Sequence, residues 1–94
     1  IEPKDAFAYM FRGDVKSNLE DYLGAILDYD KALAIDFNDD PEYLIGITDA
    51  YYFRGVAKEM LGDLKGACLD WKEASFRGDE GASDFRSKFC ITAQ

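Results

Sequence analysis

The sequence predicts an all-α chain of two stacked helical hairpins closed by one further helix. Three observations carry that expectation. First, Tyr9-Met10-Phe11-Arg12-Gly13-Asp14-Val15-Lys16 returns as Tyr51-Tyr52-Phe53-Arg54-Gly55-Val56-Ala57-Lys58. The match runs on through Leu19 and Leu61, Asp21 and Asp63, Gly24-Ala25 and Gly66-Ala67, Leu27-Asp28 and Leu69-Asp70, and Ala32 and Ala74. A repeat of this length is the mark of a helical array, each unit too small to bury its own apolar face. Second, residues within each copy recur at three- and four-residue spacing, which gathers them on one helical face. Third, helix-starting and helix-stopping residues fall between those runs.

In chain order, Ile1-Glu2-Pro3-Lys4-Asp5 parallels Ile35-Asp36-Phe37-Asn38-Asp39, 34 residues later. Residues 1–5 are therefore expected to be the tail of a preceding unit, and the chain the C-terminal part of a longer array. A first helix is expected from about Lys4 to Asn18, with Ala8, Tyr9, Arg12, Gly13, Lys16 and Leu19 on one face. Asp21 supplies an N-cap for a second helix to about Ile35, whose inner face is Tyr22, Ala25, Ile26, Tyr29, Ala32 and Leu33. Glycine costs about 1 kcal/mol relative to alanine inside a helix, so Gly24-Ala25 is expected where the two helices cross. Residues 6–39 make the first unit.

Asp36-Phe37-Asn38-Asp39-Asp40 opens like a calcium loop. That loop needs glycine at its sixth position and an acid at its twelfth; Pro41 and Ile47 stand there, so a solvated helix-capping loop is expected instead. Asp40-Pro41-Glu42 is a helix start: an acceptor, proline at the first helical position, then an acid. From Gly13 to Gly55 is 42 residues, eight more than the first step. Eight residues are about two helical turns, so residues 40–47 are expected to lengthen the next helix to about 41–61, with Gly46 the one place it would break. Tyr43, Leu44, Ile45 and Ile47 are expected to cover the edge of the preceding unit, with a partner surface as the alternative. Gly62 ends that helix, Asp63 caps the next to about Arg77, and Trp71 takes the place of Tyr29. Residues 48–81 form the second unit. Residues 82–94 are expected to be a capping helix, begun by Asp79 or Ser83 and striped by Phe85 and Phe89.

Composition narrows the function. The 94 residues make a single domain, and 48% hydrophobic content is too high for disorder. No apolar run approaches the roughly 20 residues of a membrane helix. A net charge of −8 opposes nucleic-acid binding, which needs clustered Lys and Arg. It either keeps a helical array soluble, the preferred reading, or favours a neutral or basic partner. There is no histidine, and two cysteines do not make a closed zinc site, so no cofactor or metal is expected. No spacing sets out a nucleophile with its base, a carboxylate pair or a phosphate-cradling loop, so an enzyme is not expected. Cys68 and Cys90 are either two small buried hydrophobes or a disulfide that pins the cap, the latter requiring an oxidising compartment.

Tyr9, Gly13, Ala25, Tyr29 and Ala32, repeated as Tyr51, Gly55, Ala67, Trp71 and Ala74, resemble the tetratricopeptide repeat signature. The 34-residue step is also that family's period. The resemblance covers about residues 1–81. It departs at Phe37, where proline is usual, at Lys16 and Lys58, where an aromatic is common, and at the eight-residue insertion. The run from Gly66 to Asp79 looks like the last repeat of many bacterial arrays and is similar to Sel1-like repeats. The resemblance implies a right-handed superhelical stack of hairpins that binds a peptide or protein in a concave groove lined by the first helix of each unit.

Positions that differ between copies on that face are the candidates for binding: Phe7, Met10, Asp14 and Ser17 in the first helix, and Asp49, Tyr52, Val56 and Glu59 in the third. Phe7, Met10 and Tyr52 offer apolar contacts; Asp14, Asp49 and Glu59 offer acids. None is Lys or Arg, so the carboxylate clamp of the family's chaperone-binding members is missing. A protein or peptide segment with an apolar anchor and a neutral to basic character is the expected partner. The alternative is self-association or packing within a larger envelope complex. The compartment is expected to be the cytoplasm or the bacterial periplasm, the latter if the cysteines are bridged. Phe11 and Phe53 recur, which suggests packing. Arg12 with Asp28, and Arg54 with Asp70, are expected as ion pairs within each hairpin.

Overall fold

A computed structural model describes residues 5–35, 41–78, 81 and 90. Among them run four helices: α1 (Ala6–Asn18), α2 (Tyr22–Leu33), α3 (Pro41–Met60) and α4 (Leu64–Phe76). α1 packs on α2 and α3 on α4, α2 and α3 join the two pairs, and α1 meets α3 more sparsely. The all-helical expectation holds, and α3 passes through Gly46 unbroken. The tail at residues 1–4, the acidic loop at 36–40, the cap residues Asp79 and Ser83, and the capping helix with Phe85 and Phe89 lie outside the described residues, as do the side chains of Tyr43 and Leu44.

One device starts three of the helices. Asp5, Asp21 and Asp63 accept from the backbone N–H groups of Ala8, Gly24 and Gly66 at 3.0, 3.0 and 2.9 Å. Each satisfies a donor that has no partner inside its helix. The Gly24-Ala25 expectation is half corrected here. A Cβ on Gly24 would stand 2.3 Å from the Asp21 carboxylate, and one on Gly66 2.2 Å from Asp63. The glycine makes room for the cap, while only the alanine, fully buried in each copy, sits at the helix crossing. The close crossing belongs to Gly13 and Gly55. Added Cβ atoms there would meet the Tyr29 ring at 2.9 Å and the Trp71 indole nitrogen at 2.6 Å.

Two apolar centres result. Ala6, Met10, Ala25, Tyr29, Ala32 and Ala50 form the first, and Ala67, Cys68, Trp71, Ala74 and Cys90 the second. Tyr29 and Trp71 anchor them, at 1% and 0% exposed. The indole N–H donates to the Tyr52 carbonyl at 3.3 Å. The Tyr29 hydroxyl donates to Asp14.

The ion pairs form as expected. Arg12 grips Asp28 with Nε and Nη2, both at 2.8 Å, and Lys16 joins at 3.1 Å. Arg54 grips Asp70 at 2.9 and 2.6 Å, with Lys58 at 3.2 Å. Both aspartates are almost wholly buried, which such a charge tolerates only when paired. The pairing holds the Asp28 carboxyl below its ordinary value: the hydrogen bonds from Arg12 outweigh the opposing effect of burial.

Candidate functional site

α1 and α3 are drawn together at Gly46, where a Cβ would meet the Met10 methyl at 2.9 Å and the Phe7 ring at 3.2 Å. On the outer side of that contact they diverge and leave an open cleft of about 410 Å³. Its α1 wall is Phe7, Met10, Phe11 and Asp14; its α3 wall is Ile45, Asp49, Ala50 and Phe53; Tyr29 lies at its floor. The rim is apolar and open to solvent: Phe7 is 45% exposed, Phe11 71%, Ile45 68% and Phe53 41%. These four large apolar side chains gather around one opening. The charged lining residues are both acids, Asp14 and Asp49. Asp14 is tied to the floor by the Tyr29 hydroxyl, and Ser17, one turn on, also hydrogen-bonds that phenol. Burial, then the Asp14 carboxylate, pushes the phenol well above its ordinary value, so it stays a neutral donor at any physiological pH.

Of the eight residues read as the groove, four meet here: Phe7, Met10, Asp14 and Asp49. Met10 is buried rather than open to a partner. Tyr52 and Val56 instead pack on the second apolar centre, around Trp71 and the cysteines. Glu59, half-buried, lies two turns beyond Tyr52 on that same side of α3. The reason is geometric. The face of α1 that carries Met10 and Asp14 looks toward α3, so the matching face of α3 looks onward, away from α1. Phe11 and Phe53, expected as packing residues, line the cleft, and so does Ile45, whose expected place was the edge of the preceding unit or a partner surface. The signal available for the two phenylalanines was their place directly before each repeated arginine, beside the predicted groove face.

Cys68 and Cys90 are bridged, with Cα atoms 5.7 Å apart. The bond ties Cys90 to α4 within the second centre. Among the described residues no cluster of three or more His, Cys, Asp or Glu is placed to hold a metal ion, and no helix is long and apolar enough to cross a membrane.

No family model, curated protein or solved structure matches the chain.

Proposed function

We propose that this chain is an interaction scaffold of the tetratricopeptide type, and that the α1–α3 cleft holds a peptide segment with an apolar anchor and a basic residue. The observation that carries it is the joining of four exposed apolar side chains to two acids around one opening. An aromatic or aliphatic anchor would enter between Phe7, Phe11 and Phe53, where removal from water contributes about 25 cal/mol per Å². A Lys or Arg beside it would face Asp14 and Asp49, which orients the segment and speeds its capture more than it adds affinity. The fold reading rests on the repeated Tyr-Gly-Ala-aromatic-Ala positions and on the pairwise packing of α1 with α2 and α3 with α4. The disulfide favours an oxidising compartment such as the periplasm.

The test is selection of displayed random 12-residue peptides on the chain, without prior assumption about sequence. Enriched peptides should share an apolar anchor with a nearby Lys or Arg. They should lose about tenfold or more in affinity for a Phe11→Glu, Phe53→Glu variant, as hot-spot removal does. Acidic peptides, or peptides that bind the variant equally well, would contradict the reading.

A further inference from the structure

The α1–α3 cleft has a polar device that the second pair lacks. Asp14 accepts from the hydroxyl of Tyr29, and Ser17 hydrogen-bonds the same phenol. The counterparts of Asp14, Ser17 and Tyr29 are Val56, Glu59 and Trp71, so neither the phenol nor the carboxylate that it holds is repeated. Tyr29 is 1% exposed with its ring against Gly13, so the donor that aims Asp14 is itself fixed by the core.

Asp49 faces the same opening from the other wall. Asp14 lies one turn from Met10 and Asp49 one turn from Gly46, the two residues at which the walls touch. Each acid has a phenylalanine one turn away on its own helix, Phe11 for Asp14 and Phe53 for Asp49. The opening of about 410 Å³ lies within the range of small-ligand sites, about 300–1,000 Å³, and has room for one long side chain.

We infer that this cleft takes the side chain of an arginine, its guanidinium laid against the phenylalanine rings and donating to Asp14 and Asp49, with Tyr29 a positioning residue for that grip. Given the cleft as the peptide-binding surface, on which this assignment depends, the apolar anchor and the basic residue of the bound segment become one side chain. A neutral apolar group would strip water from two carboxylates and return no hydrogen bond. A lysine ammonium is compact and strongly hydrated, and it would have to shed that water among the rings. A guanidinium is planar and weakly hydrated, stacks on aromatic faces, and carries five donors in a fork that fits a carboxylate. The chain uses this grip on itself twice. Arg12 and Arg54 each put two nitrogens on one aspartate beside a tyrosine ring, at 5.7 and 5.4 Å from its centre.

The probe is Nα-acetyl-arginine amide, titrated into the 15N-labelled chain alongside the lysine, citrulline and norleucine equivalents; citrulline is the neutral isostere. Saturable shifts are expected at Phe11, Asp14, Asp49 and Phe53. Arginine should bind about tenfold or more tighter than each comparator, the difference made by charge-assisted hydrogen bonds. Asp14→Asn and Asp49→Asn should each weaken arginine about tenfold and leave norleucine unchanged. Tyr29→Phe keeps the ring on Gly13 and should lower the arginine-to-citrulline ratio severalfold, with helicity by circular dichroism unchanged; a phenol that served the fold alone would leave that ratio as it was. Arginine without saturable shifts at the cleft, lysine or citrulline binding as tightly, or a ratio unmoved by Asp14→Asn or Tyr29→Phe would overturn the assignment. If selected peptides still depend on Phe11 and Phe53 while arginine and lysine bind alike, the arginine assignment falls alone and the cleft stands as a peptide site. Peptides indifferent to both rings would remove the two together.

Discussion

The α1–α2 and α3–α4 pairs share a motif and differ in what surrounds it, which makes each the control for the other. Gly13 faces a tyrosine and Gly55 a tryptophan. Tyr29 sends its hydroxyl out to Asp14 in the cleft; Trp71 turns its N–H inward to the Tyr52 carbonyl. Arg54 is bound on three nitrogens and Arg12 on two. At equivalent positions, Arg54 and Ala57 of the second pair are covered, at 17% and 1% exposed, while Arg12 and Val15 of the first stand at 43% and 42%. The motif sets the hairpin, and the neighbours decide how much of it remains for binding.

The largest test of that contrast is at the two anchors. Trp71→Ala should cost about 4–5 kcal/mol and Tyr29→Ala about 3 kcal/mol, the range for emptying a well-packed aromatic site. Urea unfolding followed by circular dichroism measures both, and equal costs would erase the asymmetry. Next come the arginines. Arg54→Ala strands the buried Asp70 and should cost about 2–4 kcal/mol, with a smaller loss for the solvent-facing Arg12→Ala.

The third test is acid. The folded-state pKa of Asp28 lies below the ordinary 3.8, so its contribution is present above about pH 4 and lost as pH falls through the folded value. Melting temperatures from pH 6 to pH 2 should fall, and Asp28→Asn should flatten that part of the curve at the expense of stability near neutrality. In alkali the first pair is again the sensitive one. The phenol of Tyr29 is raised above its ordinary value of 10.0, so its contribution is complete below about pH 10 and lost above it; Trp71 has no proton to lose there. The smallest effect is at the turns. Glu20 and Gly62 occupy equivalent positions at φ 62° and 89°, a conformation glycine adopts without steric cost. Glu20→Gly should therefore stabilise by about 0.5–1 kcal/mol, and Gly62→Ala should destabilise by about 1 kcal/mol.

Much of the architecture was legible because it is local and repeated. Asp21, Asp63 and Gly62 announce helix ends through their own side-chain or backbone chemistry, and Arg12 with Asp28 recurs as Arg54 with Asp70. The role of Gly24 was not legible, since nothing in its spacing tells a helix crossing from the bed of a folded-back cap. The cleft was half legible. The acids Asp14 and Asp49 and the wall residue Phe7 follow from helical spacing, but which side of α3 meets α1 depends on how one pair is rotated on the next. That rotation is fixed by contacts such as Met10 on Gly46, between residues far apart in sequence. It is why Tyr52, Val56 and Glu59 fell outside the cleft, and why Phe11 and Phe53, read as packing, stand at its mouth.

The most direct test of the central claim is an amide-shift titration of the 15N-labelled chain with the best peptide from the selection. The account predicts saturable shifts at Phe7, Phe11, Ile45, Asp49 and Phe53, weakened by salt because Asp14 and Asp49 face a cation. Shifts confined to α4, or binding indifferent to both salt and the two phenylalanines, would contradict it.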